Sequence, residues 1–144
     1  MSGNRFVPTP RTDQPQSMLA LFAGIIDPKQ TEYHGVQMRS RLEADFAAHL
    51  DLTEVAWKYE PRIYGPKGNG YLPDFEVIRP DGRACFVEVK ATKAEVRRAA
   101  CRMEVIWQDD PEAILIIACA EGSTYYAAIA GGRWTSWVER WRHA

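Results

Sequence analysis

Long apolar runs are absent from this chain. No stretch of about 18 or more uncharged apolar residues occurs, which excludes a membrane-spanning helix. Cysteine is scarce: the three present, Cys85, Cys101 and Cys119, stand far apart in apolar surroundings. They form neither a paired zinc spacing nor a disulfide framework, and we expect a reducing compartment. The three histidines, His34, His49 and His143, have no metal-ligand spacing and read as structural or surface groups. An excess of one charge is missing too, with 18 Lys and Arg against 19 Asp and Glu. Near-neutrality does not advertise nucleic-acid binding, but acids gathered at one place hide basic surface elsewhere in such a sum. Internal repeats are absent. The opening Met1-Ser-Gly-Asn-Arg5 lacks the apolar run of a signal peptide, so the expected location is cytoplasmic.

What is present is ordinary for a globular protein: 144 residues, 46% apolar and 26% charged, enough for one domain with a real core. Three prolines among polar neighbours make residues 1–17 a flexible arm, leaving 18–144 as the domain. Residues 17–26 form a short apolar piece that suits a docked helix. Met38, Leu42, Phe46 and Leu50 recur every four residues and predict an amphipathic helix over 36–50. A strand at 54–60 ends at Pro61 and resumes at Ile63-Tyr64, before a glycine-rich loop at 65–70. Thr92-Lys-Ala-Glu95 has the form of a capping box and opens a helix to about residue 107, with Val96, Ala99, Ala100, Met103 and Trp107 as its buried stripe. The run at 113–120 suits a strand buried on both faces, and 123–130 a second strand. After Gly131-Gly132, Trp134, Trp137, Val138 and Trp141 recur at helical spacing. The expected fold class is α/β, a central mixed sheet flanked by helices in the order α-β-β-β-α-β-β-α.

Between the loop and the crossover helix lies the segment that carries chemistry. Arg79-Pro80-Asp81-Gly82-Arg83 is a turn: proline presets one corner, Asp suits the next and Gly82 takes the left-handed conformation. A three-residue loop there sets Val77 against Cys85, Phe75 against Val87 and Pro73 against Val89, an apolar face. The opposite face sets Asp74 against Glu88, Glu76 against Phe86 and Leu72 against Lys90. Directly opposed like charges destabilise a hairpin, so something outside the sequence compensates them, most simply a divalent cation.

Pro73-Asp74 in one strand and Glu88-Val89-Lys90 at the end of the next resemble the signature of the PD-(D/E)XK nuclease superfamily, the restriction-endonuclease-like fold. The acid-bearing helix that precedes the sheet in that family is matched by Arg39-Ser-Arg-Leu-Glu43. Among its branches, the chain is similar to the N-terminal catalytic domain of TnsA-type transposon endonucleases: Glu43, Glu60-Pro61, Pro73-Asp74-Phe75 and Glu88-Val89-Lys90 follow that pattern. The likeness covers roughly residues 36–120, and Glu60 stands where a glutamine is expected. It implies a Mg²⁺-dependent DNA endonuclease, with Mn²⁺ able to substitute, acting with a transposase; a phage or restriction role, with another protein partner, fits as well.

The chemistry explains the residue types. Phosphodiester hydrolysis needs hydroxide at neutral pH, charge relief at phosphorus and a stabilised leaving oxygen, all of which a bound Mg²⁺ supplies. One or two carboxylates hold such an ion, because it keeps several waters. Asp74 and Glu88 are the candidate ligands, and the resemblance implies the Val89 carbonyl as a third. Lys90 positions the attacking water or takes its proton, and Glu43 binds a second metal or orients the first. Against these stand plainer readings. Glu88 and Lys90 form a surface ion pair, Glu43 pairs with Arg39 on its helix, and Glu60 and Glu76 are solvent charges. Arg62, Lys67, Lys93 and Arg97 are candidate phosphate contacts, together with Lys58, Arg98 and Arg102. The tryptophans stack on unpaired bases or, more simply, pack in a core or a homodimer interface. Two other functions fit the same residues: a junction-resolving nuclease, which requires a dimer, and an inactive relative kept for binding DNA or for assembly.

Overall fold

A computed structural model describes residues 31–141. The expected arm at 1–17, the apolar piece at 17–26 and His143 lie outside the described residues. Two compact units make up the chain, one ending at Ala48 and the other starting at His49. No helix among the described residues is long and apolar enough to cross a membrane.

The first unit opens with a hairpin of β1 (Thr31–Tyr33) and β2 (Val36–Met38). Tyr33 pairs with Val36 across a two-residue turn in which His34 and Gly35 have φ of 51° and 83°. Positive φ at both central residues is what a primed hairpin turn requires, and it fixes strands where four-residue periodicity predicted a helix from 36. Met38 is buried as expected, but from a strand. Helix α1 (Arg41–Leu52) begins only after Ser40. The Ser40 hydroxyl accepts the Glu43 amide at 3.1 Å, and Glu43 Oε1 accepts the Arg39 amide at 3.1 Å. Those bonds occupy amide groups that an uncapped helix start leaves orphaned.

The second unit is built on one sheet. Its strands β3 (Trp57–Tyr59), β4 (Phe75–Ile78), β5 (Ala84–Lys90), β6 (Ile114–Cys119), β7 (Thr124–Ile129) and β8 (Thr135–Val138) lie side by side in sequence order. Every neighbouring pair is antiparallel except β5 and β6. A parallel pair demands a crossover, and α2 (Val96–Met103) and α3 (Ile106–Asp109) supply it. The expected continuous helix from 92 is therefore three pieces, starting with a 3₁₀ turn at Lys93–Glu95. Thr92 does not cap it as expected: its hydroxyl donates to the Glu95 carboxylate at 3.0 Å instead of accepting an amide. Ala99 and Met103 of α2 and Ile106 of α3 pack with Phe86, Leu115 and Ile117 of the sheet. Phe86 and Glu88 pair in register with Leu115 and Ile117, so the helix covers the sheet face that carries Glu88.

The β4–β5 hairpin has the expected register: Phe75 with Val87, Glu76 with Phe86, Val77 with Cys85. Its turn works as the residue types dictate. Gly82 has φ of 79° and donates its amide to the Arg79 carbonyl at 3.1 Å. Asp81 accepts the Arg83 amide at 2.9 Å and the Arg79 guanidinium at 2.8 Å, and those bonds pull its carboxyl down to about 2.

One expected element is overturned. Residues 134–141 are not a helix; Thr135–Val138 is strand β8, paired antiparallel to β7. Ala130 and Gly131 both take positive φ, reversing the chain into a hairpin, and Thr, Trp and Val suit a strand. The three tryptophans accordingly go different ways. Trp134 is half-buried, Trp137 meets the Tyr125 ring edge-on at 5.2 Å, and Trp141 is buried.

Candidate active site

Asp74 stands one residue before β4 and Glu88 lies within β5, one step beyond the Phe75–Val87 pair. Both are buried, at 2% and 6% exposure. Asp74 is fixed from both sides. The Val89 amide donates to its Oδ2 at 2.8 Å, and its own carbonyl accepts the Glu60 amide at 2.8 Å. That second bond comes from the end of β3, where Glu60 sits at φ 47°, a conformation uncommon outside glycine.

Glu88 is held by two different groups. The Tyr71 hydroxyl donates to Oε1, and Lys90 Nζ lies 3.4 Å from Oε2. The pair of Glu88 and Lys90 is thus real, but it is not the surface pair of the plainer reading: the side chains are 8% and 24% exposed. Burial makes the loss of either partner expensive, unlike the loss of a surface pair.

Tyr71 is the functional residue that sequence reasoning missed. Its backbone pairs with Tyr64 through two 2.8 Å bonds, forming an isolated bridge ahead of β4. Gly70 makes the approach feasible, since a Cβ there would sit 2.8 Å from the Tyr64 carbonyl oxygen. Burial drives the Tyr71 pKa well above the ordinary tyrosine value, and the Glu88 charge adds to the shift. The Arg102 guanidinium, 5.4 Å from the ring centroid, opposes it. The available signal was an aromatic with a polar tip in Gly70-Tyr71-Leu-Pro-Asp74, close before the acid that matters.

Lys90 opens into a groove of about 700 Å³ along α2, with Arg97, Arg98 and Arg102 on its wall. Four cations there face one acid, Glu95, and the exposed thiol of Cys101 lies among them. Beside it is a smaller cleft of about 380 Å³, lined by Lys93, Arg97, Tyr126 and Trp134. Of the seven candidate phosphate contacts, the structure brings Lys93, Arg97, Arg98 and Arg102 to these hollows. Arg62 instead stacks on the Tyr64 ring at 3.9 Å, and Lys67 stands exposed in its loop; neither lines the groove or the cleft.

Glu43 belongs to the first unit. Its carboxylate is 9% exposed, takes the Arg39 amide and lies 4.0 Å from the Arg39 guanidinium: the pairing of the plainer reading, but with a buried acid where a solvated helix face was expected. Glu76 is half-buried opposite Phe86. No group of three or more His, Cys, Asp and Glu side chains suited to a metal occurs among the described residues. The donor set at Asp74 and Glu88 is therefore two buried carboxylates, with backbone carbonyls such as that of Val89 close in sequence. Hard oxygen donors of this kind suit Mg²⁺ or Mn²⁺, which fill their remaining positions with water. No family model, curated protein or solved structure matches the chain.

Proposed function

We propose that this protein is a divalent-metal-dependent DNA endonuclease of the PD-(D/E)XK type. One observation carries the reading: Asp74 and Glu88 are buried at the end of one hairpin, and Lys90 leads from them into an arginine-walled groove. A divalent cation would supply compensating charge to two carboxylates buried at one end of a hairpin. The β3–β4–β5 meander, the α2 crossover and the parallel β6 support a restriction-endonuclease-like arrangement.

Mg²⁺, when bound, supplies Lewis acidity at phosphorus and a water of lowered pKa. Asp74 and Glu88 would hold it, and the resemblance implies the Val89 carbonyl as a third protein ligand. Tyr71 keeps the Glu88 carboxylate oriented through its hydroxyl. Lys90, paired with Glu88 and partly open to the groove, positions the attacking water. Arg98 and Arg102 stand one turn apart on α2, about 6 Å of rise. Glu43, in the first unit, supports the start of its own helix, and Glu43→Gln tests whether cutting depends on it. A transposase is the partner that the TnsA likeness suggests.

Incubating supercoiled plasmid, linear duplex and branched DNA with Mg²⁺ or Mn²⁺ tests the proposal. Metal-dependent cutting by wild type and none by Asp74→Asn or Lys90→Ala is the expected result. Metal binding without cutting would point to a required partner. Neither binding nor cutting would leave a domain kept for DNA binding or assembly.

A further inference from the structure

We propose that the cleft beside the catalytic groove receives an unpaired nucleotide, so that the protein favours DNA with a single-stranded tail at the cut over blunt duplex. The inference rests on the nuclease reading and narrows its substrate. The cleft, about 380 Å³, is lined by the aromatics Tyr126 and Trp134, the cations Lys93 and Arg97, and Val96 and Ala100. Aromatic walls offer stacking to a base face, and cations offer contacts to its phosphate; a nucleotide presents both at once. A paired base within a duplex hides its faces in the stack, so the occupant is unpaired.

Two features tie the cleft to the cutting site. Arg97 lines both hollows, and Lys90 and Lys93 bracket the turn that leads into α2. A strand whose phosphate reaches Lys90 can therefore follow α2 past Arg97 and place its next base against Trp134. The walls are also set in advance. The Trp134 indole N–H donates to Glu104 Oε2 at 2.8 Å, and Tyr126 pairs in the sheet with Ile117 and Ser136. Groups already ordered lose little freedom on binding, which favours a stacking platform over a surface that must reorganise. Trp134 also explains why the tryptophans misled at the sequence level: it belongs to this cleft, while Trp141 belongs to the core.

The test measures binding by fluorescence anisotropy in EDTA, where no metal is present and no DNA is cut. The probes are a blunt duplex and the same duplex with a short single-stranded tail, carrying 2-aminopurine at the first unpaired position. Wild type is expected to bind the tailed probe about tenfold tighter or more, with quenching of the 2-aminopurine. Trp134→Leu should erase the preference and the quenching while leaving blunt-duplex affinity unchanged; Trp134→Phe, which keeps a ring, should retain most of both. Should Trp134→Leu fail to fold, Lys93→Ala, at an exposed position, decides by a loss several-fold larger for the tailed probe than for the blunt duplex. Equal affinity of wild type for the two probes overturns the inference, as does a preference that survives both Trp134→Leu and Lys93→Ala. Preference for the tail with neither metal binding nor cutting in Mg²⁺ would keep this inference and defeat the nuclease reading. Equal binding with efficient cutting of both DNAs would do the reverse.

Discussion

The Tyr71 hydroxyl donates a hydrogen bond to Oε1 of Glu88, seventeen positions further along the sequence. With Lys90 on Oε2, each oxygen of that carboxylate has its own neighbour. Tyr71→Phe removes one of these supports and leaves a buried acceptor with a lost donor. We predict a stability loss of roughly 1–3 kcal/mol and a fall in Mn²⁺ affinity of about 10- to 100-fold, the usual effect of losing a group that orients a metal ligand. Urea denaturation and calorimetric Mn²⁺ titration measure the two separately.

The same tyrosine predicts a pH dependence. Burial, then the Glu88 charge, raise its pKa, so the folded protein keeps a proton that the unfolded chain releases near pH 10. The contribution is complete below that pH and is lost progressively as pH rises above it, because the unfolded state then binds fewer protons. Tyr64 and Tyr125 are shifted in the same direction, chiefly by burial. Thermal midpoints should decline above about pH 10, and less steeply in Tyr71→Phe than in wild type.

Cysteine reactivity should be uneven. Cys101 is exposed on the groove wall, whereas Cys85 and Cys119 are buried, and burial pushes the Cys85 thiol up to about 11. One equivalent of a maleimide should add rapidly at Cys101 under native conditions, read by mass spectrometry. Duplex DNA should slow that addition, because phosphates on Arg98 and Arg102 cover the thiol between them.

The hairpin turn sets the register on which the carboxylate pair depends. Gly82 has φ of 79°, and a Cβ there would meet nothing within 4 Å. Gly82→Ala therefore carries a backbone penalty without a clash, about 1–2 kcal/mol for an L-residue held in the left-handed region. Chemical denaturation should show that loss with the denaturant slope unchanged.

Glu43 separates a helix-capping role from a catalytic one. Glu43→Gln keeps a side-chain acceptor for the Arg39 amide but discards the charge. If the residue only caps α1, stability and cutting rate should both stay within a factor of a few. A loss of cutting with an unchanged melting temperature would show that cutting depends on its charge.

The hairpin was legible because Pro80, Asp81 and Gly82 act locally: each residue's own backbone preference determines the turn, and alternation then determines which side chains share a face. From that register, Asp74, Glu88 and Lys90 followed. The α2 stripe was legible for the same reason, though not the breaks around Glu95 and Glu104, which depend on packing against the sheet. Periodicity misled twice. Met38 fits a four-residue repeat yet belongs to β2, because the His34-Gly35 turn makes a hairpin first. Trp134, Trp137 and Trp141 fit a helical repeat yet sit on or beside a strand, because Ala130 and Gly131 reverse the chain onto β7. Ser40-Arg-Leu-Glu43 carried a capping signal that marked the true start of α1. Arg97, Arg98 and Arg102 of the groove wall were legible as a basic cluster on one segment, whereas Tyr71 meets Glu88 through a contact between distant segments, which no local pattern encodes.

Metal binding at the carboxylate pair is the central claim, and a Mn²⁺ titration followed by thermal unfolding tests it most directly. Asp74→Asn is the sharpest control, because an amide oxygen still accepts the Val89 N–H while the charge is gone. An ion bound only by the folded state must raise the midpoint. The account predicts a midpoint that climbs with Mn²⁺ in wild type and stays flat in Asp74→Asn and Glu88→Gln. A wild-type midpoint that does not move through millimolar Mn²⁺, or one that rises equally in all three proteins, would contradict it.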